Sequence, residues 1–268
     1  MTSPTKNGSN GNAPHDDVAS GAPKGPITDT MKAPLAKRFY KEVGVGEGAF
    51  FQILLDGRVV KTPKRRALVL PTKPAAEAVA QEWADQVGVI NPATMPLTRF
   101  ANTAIDSVSE ALDDVAADIM AFAGRDLVCY RAEAPHDLTA LQAAKWDPVL
   151  NWVQETFHAR FTVVKGVMPV DQPNSALYPI ASALQPHDAL RLTAMHVMTT
   201  LTGSALLALA HTRGFLSADD AWAAANVDED YQIAMWGQDE EASDLRARRK
   251  REFHAACRFL QLVEAKTE

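Results

Sequence analysis

Two patterns of apolar and polar residues divide the chain. Between residues 39 and 70, short apolar runs alternate with turn residues, as in AFFQILL, RVVKTP and RALVLP. The Asp56-Gly57 pair separates the first two runs and supplies the positive φ values of a two-residue type I′ hairpin, which gives Gly57 a structural role. We therefore predict a small antiparallel sheet from Phe39 to about Leu70.

The pattern changes to helical spacing after Thr72, a residue type suited to cap a helix N-terminus. Apolar residues then recur three or four positions apart, at Ala76, Val79, Ala80, Trp83 and Val87. Pro92 and Pro96 interrupt the next stretch, and we place a domain boundary there. Residues 32–97 are predicted to form a β-rich N-terminal domain with one helix, and residues 98–268 a helical C-terminal domain.

Helical patterns dominate from residue 98 onward. Residues 98–123 are alanine-rich and amphipathic, and residues 138–157 show an apolar 3–4 rhythm in which Pro148 predicts a kink or a break between two helices. A short strand-like piece, RFTVVKGVMPV, follows. Further helices are predicted at about residues 188–211, 217–235 and 238–264. The predicted fold class is α+β.

Composition narrows the kind of protein. The 268 residues are 47% hydrophobic and 22% charged, which is ordinary for a globular protein. Residues 1–31 are rich in Gly, Ser, Asn and Pro without an apolar stretch, so we expect a disordered tail with no secretory signal and no basic presequence. Cys129 and Cys257 are far apart, which indicates a reducing compartment and no zinc or redox motif.

The most apolar stretch, residues 194–210, resembles a membrane span in part. It is shorter than the roughly 20 apolar residues that a span needs, and it contains histidine, threonine, serine and glycine. We therefore predict a buried core helix and no membrane insertion.

Charge argues against nucleic-acid binding. The net charge of −6 is unlike that of dedicated DNA or RNA binders, which are usually basic. The run Arg246–Arg251 (RARRKR) is the strongest opposing sign, yet it lacks interleaved aromatic residues for stacking on bases. We interpret it as one face of a solvated helix, and an RNA-binding module stays as an alternative.

The glycines and histidines do not match common catalytic or metal motifs. Gly44, Gly46 and Gly48 precede a strand instead of a helix, so we interpret them as a turn between strands and not as a phosphate loop. The seven histidines lack metal-ligand spacing, and His196 is predicted to be a hydrogen-bonded core residue. We predict no catalytic residue, no cofactor site and no metal site.

Two acidic residues are candidates for a catalytic pair. Asp106 and Asp126 are of the right chemical type, but spacing alone cannot bring them together. Ordinary capping or surface roles are the favoured interpretation.

One segment near the C-terminus, DEDYQIAMWGQDEEASDLRARRKREF, joins a Trp-Gly pair, a dense acidic cluster and a basic run. A helix that starts near Gln238 carries Asp239, Glu240 and Glu241 in its first turn, where the helix dipole favours negative charge. Gly237 permits a sharp connection before this helix, so it is expected to be a structural residue that fixes the direction of the acidic face.

Stabilisation of the helix alone does not explain Glu240 and Asp244. They are like charges four residues apart, which costs roughly a few tenths of a kcal/mol, and an expected ion pair of Asp244 with Arg248 offsets only part of that. Three interpretations stay open on the residues alone: helix capping, docking of a partner's lysine or arginine, or a general acid–base pair.

Several stretches, in the same order, resemble the ATP-twelve chaperone family from about residue 37 to 245. They are FFQILLDGRVVKTPKRRALVLPT, AQEWADQ, INPATMPLTRFANTAID, LQAAKWDPVLNW and DEDYQIAMWGQDEEASD. The resemblance implies a molecular chaperone for assembly of the F-type ATP synthase catalytic head. Such a chaperone binds the free alpha subunit and shields its beta-facing interface until exchange, without enzymatic activity or a cofactor.

The resemblance also implies roles for particular residues. The family's critical glutamate falls on Glu240 and a following acidic residue on Asp244, while Gln232 and Trp236 match the same motif; these four are the expected partner-binding residues. Trp83 matches a Glu-Trp pair of the family and is expected to pack the first helix. The resemblance favours a free monomer in the bacterial cytoplasm, with the mitochondrial matrix as the location of eukaryotic relatives.

Two alternatives make different structural or solution predictions. A carboxylate-dependent hydrolase or isomerase needs a closed pocket in which Glu240 lies beside another titratable group. An RNA-binding module that uses Arg246–Arg251 needs an affinity that falls steeply as salt is raised.

Overall fold

Four short strands pair antiparallel in the N-terminal part of the protein. The structure is a computed structural model that describes residues 34–166, 168–185 and 188–265, and the tail predicted for residues 1–31 lies outside the described residues. The strands are β1 (Val43–Gly46), β2 (Phe51–Leu55), β3 (Arg58–Val59) and β4 (Val69–Leu70). β1 lies on one side of β2, and β3 and β4 lie on the other.

The predicted hairpin turn organises this sheet. Asp56 and Gly57 connect β2 to β3 with φ values of 47° and 75°, as a type I′ turn requires. The Asp56 carboxylate accepts hydrogen bonds from the backbone N–H groups of Glu42 (2.8 Å) and Lys41 (3.0 Å). These bonds hold the pKa of Asp56 below its usual value and fasten the chain just before β1.

The interpretation of Gly44 and Gly46 as turn residues is wrong. Both lie in β1, where Gly44 is opposite Leu54 and Gly46 is opposite Gln52. Gly48 lies in the bend between β1 and β2. Isolated glycine-rich runs favour turns, but pairing with β2 supplies hydrogen bonds that a local pattern cannot show.

Helices make up most of the rest of the described chain. They are α1 (Lys73–Ala84), α2 (Pro96–Asp106), α3 (Leu112–Ala123), α4 (His136–Phe157), α5 (Asn174–Ala183), α6 (Ala189–Thr202), α7 (Ala205–Thr212), α8 (Ala218–Ala225), α9 (Val227–Trp236) and α10 (Glu240–Glu264). Two further strands, β5 (Tyr130–Arg131) and β6 (Val164–Lys165), pair in parallel. The small antiparallel sheet followed by helices confirms the predicted α+β class.

Helix boundaries differ from the predictions where the chain turns within a continuous pattern. The stretch 98–123 is split by a 3₁₀ turn at Val108–Glu110, and Gly203, with φ 70°, separates α6 from α7. By contrast, α4 runs as one helix with Pro148 inside it, so the two-helix alternative is wrong there.

The centre of the helical part is formed by α6, α7 and the second half of α10. Every residue of α7 from Ala205 to His211 is buried, and Phe253 and Phe259 of α10 are fully buried. Residues 194–210 thus belong mainly to the core, and no helix among the described residues is long and apolar enough to cross a membrane.

Two carboxylates hold α2 at its two ends. Glu82 of α1 accepts hydrogen bonds from the backbone N–H groups of Leu97 and Thr98, both at 2.8 Å, at the N-terminus of α2. Burial raises the pKa of Glu82, although these hydrogen bonds oppose that effect. Asp106, at the other end, accepts from Thr62 Oγ1 (2.6 Å) and from a backbone N–H in the β3–β4 connection.

These contacts join the sheet to the helices. Thr72 caps α1 as predicted, and its hydroxyl donates to the carbonyl of Leu262 in α10 (2.6 Å). The residues described from Ala36 onward form one compact unit around a continuous apolar core. The division into two domains at residue 98 stays a prediction about folding units.

A third carboxylate, Asp126, is fully buried. It accepts from Ser204 Oγ (2.5 Å) and from the backbone N–H groups of Leu206 (2.9 Å) and Val128 (3.3 Å), which belong to the N-termini of α7 and of a 3₁₀ turn. Burial raises the pKa of Asp126 to about 7 despite these donors. Asp106 and Asp126 share no hydrogen-bond partner in the described structure: Asp126 caps the 3₁₀ turn and the N-terminus of α7, whereas Asp106 binds the β3–β4 connection.

Asp126 predicts a particular pH dependence of stability. Its pKa lies at about 7 in the folded protein instead of 3.8. As pH rises, the unfolded state therefore loses the Asp126 proton before the folded state does. The contribution of Asp126 to the free energy of unfolding thus falls between about pH 4 and about pH 7. At 1.36 kcal/mol per pKa unit the total is about 4 kcal/mol. Urea denaturation across this range should show that the stability difference between wild type and Asp126→Asn shrinks as pH rises.

The matched control is Asp113→Asn, at an exposed position in the first turn of α3. Its stability difference from wild type should vary little between pH 4 and 7. An advantage of wild type over Asp126→Asn that grows with pH would contradict the raised pKa.

Candidate functional site

The acidic segment identified in the sequence lies on the exposed half of the longest helix. The second half of α10 is anchored in the core by Phe253, Ala256, Phe259 and Leu260. Residues 240–252 extend beyond this anchor for about 20 Å at 1.5 Å per residue, and most of their side chains are exposed. A helix fixed at one end therefore presents this face in a defined direction.

The connection between α9 and α10 depends on glycine and on a capping aspartate. Gly237 has φ 81° and ψ 179°, a conformation that essentially only glycine adopts. Asp239 follows as the N-cap of α10, and its Oδ1 accepts from the backbone N–H of Ala242 (2.8 Å). Helix capping, one of the three interpretations of this cluster, is therefore the role of Asp239. Glu240 and Asp244 are not needed to cap the helix.

Glu240 and Asp244 are exposed and lie one turn apart on α10. Neither carboxylate has a hydrogen-bond or ion-pair partner within the described ranges, and the same holds for Glu241. The expected ion pair of Asp244 with Arg248 is not formed; Arg248 Nε donates instead to the main-chain carbonyl of Asp244 (3.3 Å). The like charges at positions 240 and 244 thus stay uncompensated.

Large apolar side chains close to these charges in the sequence are also exposed. The exposed fraction is 77% for Trp236, 59% for Met235 and 54% for Leu245. We call Met235, Trp236, Glu240, Asp244 and Leu245 the acidic–apolar surface. Exposed apolar groups next to unpaired charges are typical of sites that bind another protein.

Sequence reasoning identified part of this surface. Gln232 and Trp236 were expected at a partner site, and both are exposed on α9. Met235 and Leu245 were missed, because an apolar residue at helical spacing is by default assigned to a core. A signal was available for Leu245, because Asp244 and Arg246 flank it, whereas no such signal marks Met235.

The basic run is partly bound to the protein's own acceptors. Arg246 forms an ion pair with Asp230 of α9, and Arg249 Nη2 donates to the carbonyl of Leu201 (2.8 Å). Lys250 Nζ lies 3.5 Å from Asp219. These contacts hold α10 against its neighbours and reduce the charge available for phosphate groups.

The geometry around Glu240 is not that of a catalytic pocket. Glu240 and Asp244 line neither the cavity near α6 and α7 nor the one between β1 and α1. Among the described residues there is no cluster of three or more metal-ligating side chains. An exposed, open carboxylate pair suits docking better than general acid–base chemistry.

Two further expected residues lie away from this surface. His196 does form a hydrogen bond, with Asp118 Oδ2 at 2.6 Å, but it is half-exposed between α6 and α3, so the predicted core position is wrong. Trp83 is half-buried near the end of α1; its carbonyl accepts from the Tyr40 hydroxyl (2.6 Å), and the two rings meet edge-on at 5.8 Å.

Comparison with known proteins gives a consistent set of matches. Residues 37–154 match the family model described as ATP12 chaperone protein. The chain is 43% identical to the Atu1473 protein from Agrobacterium tumefaciens, with a TM-score of 0.83 over 90% of this chain and 92% of that chain. It is 40% identical to Atp12 from Paracoccus denitrificans, with a TM-score of 0.81 over 85% and 99%.

A curated relative is more distant. Protein atp12, mitochondrial, from Schizosaccharomyces pombe is 23% identical over 232 residues, which are 80% of this chain and 78% of the relative. The family model ends before α9, whereas the structural matches cover most of the chain, so likeness to solved structures is not confined to residues 37–154.

Gly237 provides a test of how this surface is built. Any other residue at its φ and ψ costs about 1–3 kcal/mol, so Gly237→Ala should lower the free energy of unfolding by that order in urea denaturation. Gly48→Ala is the matched control, because Gly48 is exposed and has room for a Cβ at ordinary contact distance. Equal stability of the two variants would show that the turn does not depend on glycine.

Proposed function

This chain belongs to the ATP12 chaperone family, and we propose that it assists assembly of the F-type ATP synthase catalytic head by binding the free alpha subunit. In this proposal the protein covers the surface of the alpha subunit that a beta subunit later occupies. The beta subunit then displaces it by exchange, without nucleotide hydrolysis by the chaperone.

The observation that carries the proposal is the pairing of exposed apolar groups with unpaired carboxylates on the acidic–apolar surface. Trp236 is the largest of these groups and is mostly exposed in the free protein. Exposing such a side chain to water is unfavourable unless a partner covers it, and buried aromatic residues often dominate binding energy. Trp236 is therefore proposed as the central apolar contact.

The carboxylates of Glu240 and Asp244 are proposed to orient the bound partner. Glu240 and Asp244 have no partner within the part of the chain that the structure describes, so a lysine or arginine of the alpha subunit meets no internal competitor. Exposed charges speed encounter and fix register more than they add affinity. Charged contacts of this kind suit a chaperone that must later dissociate from its partner.

The alternatives receive less support. A carboxylate enzyme needs Glu240 in a closed pocket beside another titratable group, whereas Glu240 is exposed on an open helix face. An RNA-binding module needs a free basic face, whereas Arg246 and Lys250 contact the protein's own aspartates. Family membership also favours a chaperone over an enzyme. The bacterial cytoplasm and a monomeric free state are part of the proposal.

Charge reversal at Glu240 tests the proposal. Glu240→Lys places a like charge against the partner's lysine or arginine, which costs several kcal/mol, so affinity for the alpha subunit should fall at least about a hundredfold. The measurement is titration calorimetry with purified alpha subunit, and separate co-purification with alpha and beta subunits. The variant should unfold at the same urea concentration as wild type, because position 240 is exposed.

Glu155→Lys, at an exposed position of α4, is the matched control and should bind normally. If Glu240→Lys protects the alpha subunit from aggregation as well as this control does, Glu240 is not an anchor. If wild type retains neither subunit, the proposed function itself is wrong.

Trp236→Ala tests the apolar contact separately. Removal of a central aromatic residue typically costs 2 kcal/mol or more, which is about 30-fold in affinity. Because the side chain is 77% exposed, the free energy of unfolding should change by less than about 0.5 kcal/mol. Unchanged affinity for the alpha subunit in calorimetry would remove Trp236 from the interface.

A further inference from the structure

A groove lies between the edge of the N-terminal sheet and the first helix. Its volume is about 380 Å³. Val43, Gly44 and Val45 of β1 form one wall, and the helix wall includes Ala80 and Ala84 of α1. These elements take no part in the acidic–apolar surface, so the groove is a separate feature of the molecule.

One edge of β1 faces this groove without a partner strand. Within the described ranges β1 pairs only with β2. The backbone N–H of Asp56 donates to the carbonyl of Glu42, and antiparallel pairing alternates from there, so Gly44 and Gly46 bond toward β2. Val43 and Val45 therefore direct their N–H and C=O groups away from β2, where an added strand would bond.

Small residues leave room for another chain beside this edge. Gly44 lines the groove with backbone atoms only. Ala80 and Ala84 present only methyl groups from the helix side. A strand edge with a helix alongside is the arrangement in which an extended peptide bonds to the backbone while its side chains contact the helix.

We propose that this groove binds an extended segment of the client subunit as an additional strand on β1. The charges indicate what that segment carries. Glu47 and Glu77 line the groove against one cation, Lys73, which is 3.0 Å from Glu47. The exposed carboxylate of Glu77 forms no hydrogen bond or ion pair among the described residues, although it interacts electrostatically with Lys73. Two carboxylates thus face one cation, and a lysine or arginine of the segment would balance their charge.

The inference rests on the proposed function, since it takes the client to be the alpha subunit. Hydrogen exchange of the full-length protein tests it. Addition of purified alpha subunit should slow exchange of the Val43 and Val45 amides at least about tenfold, because these N–H groups gain acceptors. The same experiment also reports amide exchange around Trp236, so protection at the groove can be distinguished from protection at the acidic–apolar surface.

Ala84→Trp, at the exposed end of α1 that lines the groove, should fill part of the groove without disturbing the sheet and weaken alpha-subunit binding at least about tenfold. Gly48→Trp, in the bend after β1, is the matched control and should bind normally. Glu77→Lys should also weaken binding, whereas Glu155→Lys should not.

Several results would overturn the inference. If the alpha subunit binds but the amides of residues 43 and 45 exchange as before, the groove is not used and the proposed function stands. If no subunit binds, both proposals fall. If these amides already exchange slowly in the free protein, the groove is occupied by something other than the client. The occupant is the chain's own N-terminal segment if deletion of residues 1–33 restores fast exchange. It is a second copy of the chain if dilution restores fast exchange.

Discussion

The burial of the second half of α10 is the constraint on which the rest of the molecule depends. Phe253 and Phe259 are fully buried; Phe259 meets Phe100 of α2 edge-on at 5.8 Å, and Phe253 lies 5.5 Å from the Trp222 ring of α8. Full burial of each such side chain contributes about 1.5–3 kcal/mol. Because a helix is stiff over a few turns, anchoring its second half also sets where its first half points. The exposed acidic residues are therefore held by a core that they do not touch.

The acidic residues divide into two groups by environment. Glu82, Asp106 and Asp126 are wholly or largely removed from water, and each accepts hydrogen bonds from backbone N–H groups, which offset part of the cost of removal from water. They join helices to helices and the sheet to α2. Glu240 and Asp244 are hydrated and lack an internal partner in the described structure. The same chemical group thus stabilises the fold in one setting and stays available to a partner in the other.

The two proposed contact regions would suit transient binding. The acidic–apolar surface offers area and charge on a helix, whereas the β1 groove offers backbone hydrogen bonds. Several contacts of moderate strength can give the complex a sufficient lifetime without one very tight site, and each contact can be lost in turn during exchange. Both regions are built on rigid elements, so neither needs the free protein to rearrange before it binds.

Short-range features were determined by the sequence alone. The Asp56-Gly57 turn, the Thr72 cap of α1 and the acidic first turn of α10 follow from local backbone conformation and local hydrogen bonds, and each is present in the structure. The family motif was also readable as a sequence. The tertiary structure decided what depends on distant partners: that Gly44 and Gly46 form a strand, that β5 and β6 pair in parallel, and that His196 is only partly buried. It also decided that Trp236, Met235 and Leu245 are exposed, because helical spacing says which residues share a face but not whether another element covers it.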